Sequence, residues 1–161
     1  MDSSDDRQFI RRAIELSRVA ALEECTGGPF GTVIVKDGKI IAEGYNKVVA
    51  EKDPTWHGEM EAIRKACKSL NSFDLNGCVL YTSAEPCPMC AAAAWWARLD
   101  RIVYAARVED AHQYGDFDDT AIYDDLRHPS QNRKIPYQEL LREEAILVWQ
   151  AYQAKADRIA Y

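Results

Sequence analysis

His57-Gly58-Glu59, followed downstream by Glu85-Pro86-Cys87-Pro88-Met89-Cys90, sets an imidazole, a carboxylate and two thiols in the pattern H-x-E…P-C-x-x-C. A Cys-x-x-Cys at the start of a helix brings both sulfurs to one side. The unpaired N–H groups and positive dipole end there favour the thiolates that zinc needs. His57 supplies a third bond, and three protein ligands leave one tetrahedral position open, which separates a catalytic zinc from a closed structural site of four. Zinc in such a site draws the pKa of its water towards ~7. Glu59, two residues after His57, is then placed to move protons as a general acid and base.

The chemistry that suits this set is hydrolytic deamination of a nucleobase-type ring. Hydroxide adds to the amine-bearing carbon, and Glu59 carries one proton to a ring nitrogen and another to the amine that leaves as ammonia. Two blander readings compete. A Cys-x-x-Cys also serves as a redox pair, which Pro86 and the matching His-x-Glu disfavour. A closed structural zinc needs a fourth ligand, and Cys67, Cys78, His112 and His128 show no pairing pattern that would supply it. A catalytically dead zinc scaffold could lose Glu59, yet Glu59 is present.

The elements that must hold these residues are legible in part. Apolar residues from Phe9 to Leu22 fall on one face of an opening amphipathic helix, ended by Gly27-Gly28-Pro29. Phe30–Val35 and Lys39–Gly44 read as two strands joined antiparallel across Lys36-Asp37-Gly38, an Asp-Gly hairpin signal. Asp53-Pro54-Thr55 is a turn into a helix over Trp56–Lys68, with His57 and Glu59 in its first turn. Val79–Ser83 reads as a buried strand, Pro88–Arg98 as an alanine-rich helix and Arg101–Ala106 as a strand, which together imply a parallel crossover. Val108–Asn132 is polar and acidic with one short helix around Thr120–Leu126. Leu140, Leu141, Ala145, Val148, Trp149 and Tyr152 mark a final helix. The expectation is one domain over residues 1–161, a three-layer α/β/α fold with a mixed central sheet.

Bulk composition narrows the partners. With 161 residues and 47% hydrophobic content the chain is long enough for one core without disulfide staples. A net charge of −6 opposes broad phosphate binding and so a nucleic-acid surface, favouring a small neutral substrate. No run approaches the ~18 apolar residues of a membrane span, and the acidic N-terminus is unlike an export signal. Five cysteines, two of them three positions apart, fit a reducing cytoplasm better than a disulfide framework. Cys25, Cys67 and Cys78 read as core fillers.

At these residues the chain resembles the cytidine deaminase superfamily and, nearly end to end, its bacterial guanine deaminases. The resemblance is carried by Gly27–Gly31, Val33–Gly38, Asp53-Pro54-Thr55, Ala62–Cys67, Leu80–Ser83, the Cys87 motif, Trp96-Ala97-Arg98, Gly115–Asp119 and the terminal Tyr161. It implies a cytidine-deaminase-like fold, one zinc per chain, and conversion of guanine and water to xanthine and ammonia. It further implies that Asn46 hydrogen-bonds the purine, that Phe30 and Trp96 wall the pocket, and that Tyr161 closes it. An aspartate of the turn Asp116-Phe117-Asp118-Asp119 would assist Glu59. Asp118 is the choice because it follows Phe117, with Asp116 and Asp119 left open by an extra residue in that turn.

In some guanine deaminases the C-terminal segment is exchanged between subunits. The resemblance therefore implies a homodimer with residues about 134–161 open to exchange, the alternating run Lys134–Leu141 being part of the arm. One departure matters: Trp56-His57-Gly58-Glu59 stands where a small residue and His-Ala-Glu are usual. Trp56 either narrows the pocket or packs on a neighbouring helix. The alternatives are therefore the same chemistry on guanosine, cytosine, an aminopurine or a triazine and, from another class, a tRNA-editing deaminase or its partner.

Overall fold

The hairpin turn at Asp37-Gly38 has both residues at positive φ (50° and 73°), the combination a two-residue antiparallel hairpin requires. It joins β1 (Gly31–Lys36) to β2 (Lys39–Tyr45). β3 (Cys78–Ala84) lies antiparallel to β1 on its other side, and β4 (Arg101–Ala106) lies parallel to β3, giving a mixed sheet in the order β2-β1-β3-β4. The computed structural model describes residues 3–159. Every residue of β3 is buried, as a central strand covered on both faces must be.

The period-two alternation of the strands sorts side chains onto two cores. Val33, Val35, Val79 and Tyr81 pack with Phe9 and Leu16 of α1 (Ser3–Arg18). Ile34 and Leu80 turn the other way, onto Ala62, Ile63 and Ala66 of α3 (Gly58–Leu70) and Ala97 beyond α4 (Pro88–Trp96). Between β2 and α3 lies the single turn α2 (Val48–Glu51). Helix, sheet and helix thus form the three layers expected. A Cβ on Gly44 of β2 would strike the backbone of Gly58 and Ala62, so glycine is what lets α3 lie directly on the sheet edge.

The opening helix starts earlier than its apolar period suggested, and after Arg18 it loosens into a π-helical turn over Val19–Glu23. Asp6 explains part of the early start: its carboxylate accepts from the Tyr81 hydroxyl at 2.6 Å and from Arg101 at 2.8 Å, tying the first turns to β3 and β4. A second helix that the acidic sequence concealed, α5 (Val108–Gly115), follows β4. Its Asp110 carboxylate accepts from the Arg107 N–H at 2.9 Å, and Asp116 closes it in the left-handed conformation. α6 (Asp119–Arg127) matches the short helix expected around 120–126.

The chain forms two compact units, residues 1–120 and 121–161. Within the second, Asp125 of α6 accepts from the Lys134 N–H at 2.8 Å, and Tyr152 donates to the Ile159 carbonyl at 2.7 Å, fastening the last turn of α7 (Arg142–Ala154) to the residues after it. Residues 134–141 form no strand within the chain. Among the described residues no helix is long and apolar enough to cross a membrane.

Candidate active site

Two helix N-termini converge to make the site. His57 is the extended residue that caps α3, and Cys87 is the extended residue that caps α4, with Pro88 in the first helical position where its missing N–H costs nothing. His57 therefore sits just ahead of the first turn that the sequence suggested. The His57 Nδ1 lies 3.6 Å from the Cys87 Sγ and 3.5 Å from the Cys90 Sγ. Ligand bonds of about 2.0 and 2.3 Å at a tetrahedral angle place nitrogen and sulfur roughly 3.5 Å apart, so the donor set fits zinc. Among the described residues this is the one His/Cys/Asp/Glu group gathered closely enough to hold a metal ion.

Glu59 follows in the first turn of α3 and is 4% exposed. Burial pushes its carboxyl above the usual range, although the His57 ring opposes the rise. The Thr82 hydroxyl donates to the Glu59 Oε1 at 3.2 Å, and the Cys90 thiol lies 3.5 Å from the Oε2. Hydrogen bonding from Cys90, with help from His57, holds the Cys87 thiol down to about 4 against its burial. The Cys90 thiol is pushed up, by the Cys87 bond first and burial second.

A cleft of about 210 Å³ opens on these groups, walled by Phe30, Asn46, Glu59, Cys87, Phe117 and Asp119. Phe30 and Phe117 meet edge to face with ring centres 5.0 Å apart. Asn46 is buried, its backbone N–H donating to the Phe30 carbonyl at 2.9 Å. Asp119 is the aspartate of the acidic turn that reaches the cleft, because α6 begins there. Its carboxyl is pushed up by burial and by the Cys87 thiolate. Asp118, chosen from sequence, does not line the cleft, and Asp116 ends α5 instead.

Trp96 lies elsewhere within this chain. At 64% exposure it joins Trp95, Arg98 and Leu99 around a surface recess, since it is the last residue of α4, two turns from Cys90. Tyr161 lies outside the described residues. Trp56 does not line the cleft either. Its ring faces Arg64, 5.9 Å away on α3, and its indole N–H is buried without a partner among the described residues. Gly58 is packed closely: a Cβ there would lie 3.2 Å from the Phe30 carbonyl oxygen and the Thr32 hydroxyl. Sequence reasoning missed Thr82 and Phe117. Neither stands at a telling spacing, and only the pairing of β3 beneath α3 and the turn after α5 bring them in.

A mixed sheet with zinc-type ligands at the starts of two helices above it defines a class, and residues 3–106 match the cytidine and deoxycytidylate deaminase zinc-binding region. The chain belongs to that family of zinc-dependent deaminases. It is 46% identical over 153 residues to the guanine deaminase of Bacillus subtilis, covering 95% of this chain and 97% of that one. The crystal structure of that guanine deaminase superposes with a TM-score of 0.92 at 45% identity, covering 100% and 99% of the two chains. The tRNA-specific adenosine deaminase of Aquifex aeolicus is 37% identical over 117 residues, covering 73% of this chain and 74% of its own.

Proposed function

We propose that the chain deaminates guanine, releasing xanthine and ammonia. The observation that carries this reading is the reach of the likeness: it spans 153 residues with the Bacillus subtilis guanine deaminase, far past residue 106, but 117 residues with the Aquifex aeolicus tRNA enzyme. When bound by His57, Cys87 and Cys90, zinc supplies a water acidic enough to furnish hydroxide at neutral pH. The chain's own residues do the rest. Glu59, raised by burial and steadied by Thr82, takes up two protons in turn, the first from the attacking water and the second from the hydroxyl that water leaves on the ring, and passes the first to a ring nitrogen and the second to the departing amine. Asp119 is assigned the assisting role beside it in place of Asp118, because it lines the cleft.

Asn46 is assigned the purine edge. Its Oδ1 accepts from the Val48 N–H at 3.1 Å, so the donor end of the amide is what remains for a ligand, and guanine offers O6 and N7 as acceptors. Phe30 and Phe117, in edge-to-face contact, are assigned one apolar wall for the ring, and Tyr161, outside the described residues, is assigned the closing of the pocket. Purified, zinc-loaded protein tested on guanine, guanosine, cytosine, aminopurines and amino-triazines is expected to show its highest kcat/KM with guanine. A higher value for another ring overturns the substrate. Salt-sensitive tRNA binding with loss of adenosine amine moves the reading to a polynucleotide substrate.

The assembly proposed is a homodimer that exchanges residues about 134–161. Support comes from α7, none of whose residues is buried although Leu147, Val148 and Trp149 are apolar and 64–71% exposed. Trp95 and Trp96 add exposed aromatic surface on the zinc-ligand helix. The setting proposed is the cytoplasm, where Cys87 and Cys90 stay reduced.

A further inference from the structure

Glu61 follows Glu59 by two residues on α3, so the two carboxylates leave the helix on nearly opposite sides, about 200° apart at 3.6 residues per turn. Glu59 takes the cleft. Glu61 turns to the end of β2, where it is 5% exposed and fully paired. Its Oε2 accepts from the Tyr45 backbone N–H at 3.1 Å, and its Oε1 accepts from Lys47 Nζ and Lys65 Nζ, each at 2.9 Å. A buried carboxylate is tolerated only when paired in this way. Tyr45 and Lys47 are the two chain neighbours of Asn46.

Asn46 itself is held from several further directions. Its carbonyl accepts from the Thr26 hydroxyl at 2.7 Å, its N–H donates to Phe30, and the Lys47 N–H donates to the Trp56 carbonyl at 3.0 Å. A Cβ on Gly27 would overlap the Asn46 Oδ1, so glycine there is what admits the amide. Because Oδ1 receives a backbone N–H, chemistry fixes which end of the amide is which. What remains adjustable is the placement of the β2 end, and that is what Glu61 grips.

We propose that Glu61 is a positioning residue for substrate recognition: by gripping the backbone before Asn46 and the ammonium after it, it ties the purine-reading amide to the helix that carries His57 and Glu59. The inference rests on the reading of Asn46 as the substrate's hydrogen-bond partner. It differs from a plain β2–α3 clamp, which would alter stability but would not act through Asn46.

A double-mutant cycle tests it, with kcat, KM, zinc per chain and Tm measured for wild type, Glu61→Gln, Asn46→Ala and the double variant. Glu61→Gln keeps an acceptor for Tyr45 but loses the charge that holds Lys47. Expected are a KM for guanine raised about three- to tenfold, kcat within about twofold and unchanged zinc, since uniform binding is what is lost. In the Asn46→Ala background the same change is expected to move KM by less than about twofold. An unchanged KM in the first background, or the same fold-change in both, overturns the positioning role. Lys47→Met tests the same link where Glu61→Gln lowers the yield of folded protein: its KM rises if the proposal holds and stays put if it does not. If wild type prefers another ring to guanine, the guanine reading fails, and the cycle on that ring still decides the role of Glu61.

Discussion

Residues 1–120 and 121–161 treat their apolar side chains in opposite ways. The first unit hides Phe9, Leu16, Ile34, Leu80 and Tyr81 in two cores and sets His57, Glu59, Cys87 and Cys90 where two helix starts meet above them. The second leaves α6 and α7 without a buried residue, while Leu147, Val148 and Trp149 face outward. The contrast separates a metal-type donor set gathered within residues 1–120 from helices of residues 121–161 whose apolar side chains stay exposed, the observation on which the proposed dimer rests. Different perturbations should therefore strike one unit and spare the other.

The largest effect is expected at the metal shell. Cys87→Ala or Cys90→Ala should leave zinc near zero per chain by elemental analysis and abolish ammonia release, and full zinc content in either variant would remove that cysteine from the ligand set. Next comes Glu59→Gln, which keeps an amide of the same shape but cannot shuttle protons. Turnover should fall by about 10²–10⁴ with zinc retained, and near-normal kcat would end the acid–base assignment.

In the other unit, Trp149→Glu should convert a dimer to a monomer on a sizing column with zinc unchanged. A wild-type monomer, or a variant of unaltered mass, would sever the exposed helices from assembly. Trp56→Phe should change kcat/KM less than about threefold, because the ring packs on Arg64 and its N–H has no partner to lose. A shift in substrate preference would place Trp56 back at the pocket.

The smallest effect is one of stability against pH. Burial raises the Glu61 carboxyl, but Lys47 and Lys65 outweigh it and hold the group below the ordinary 4.5. A depressed folded-state pKa contributes stability above the unfolded value and loses it as pH falls through the folded one. The Tm gap between wild type and Glu61→Gln should therefore be widest near neutrality and narrow below pH 4.5. A gap that stays constant across that range would show that the charge of Glu61 is not what its lysines hold.

How much of this the chain spelled out follows the range of the interactions. The Asp37-Gly38 hairpin, the alternating strands and the crossover from β3 through α4 to β4 depend on neighbours a few residues away, so their signals were readable. α5 was not. Its stabilising pair, Arg107 with Asp110, looks like ordinary charge in a polar run until the backbone closes around it. The π-helical turn after Arg18 likewise has no compositional mark.

The zinc ligands and Glu59 were legible for a physical reason: a metal dictates donor types, and helix starts dictate spacing, so four residues identify one another without coordinates. Specificity carries no such code. Asp119 rather than Asp118 in the cleft, Trp96 on a surface recess, Trp56 against Arg64 and Glu61 behind Asn46 each depend on where a side chain points after packing. Residue type and interval alone point to a zinc-dependent deaminase, because valence and local geometry are written in them. Which groups line the cleft came from the fold, because that depends on contacts between elements remote in the chain.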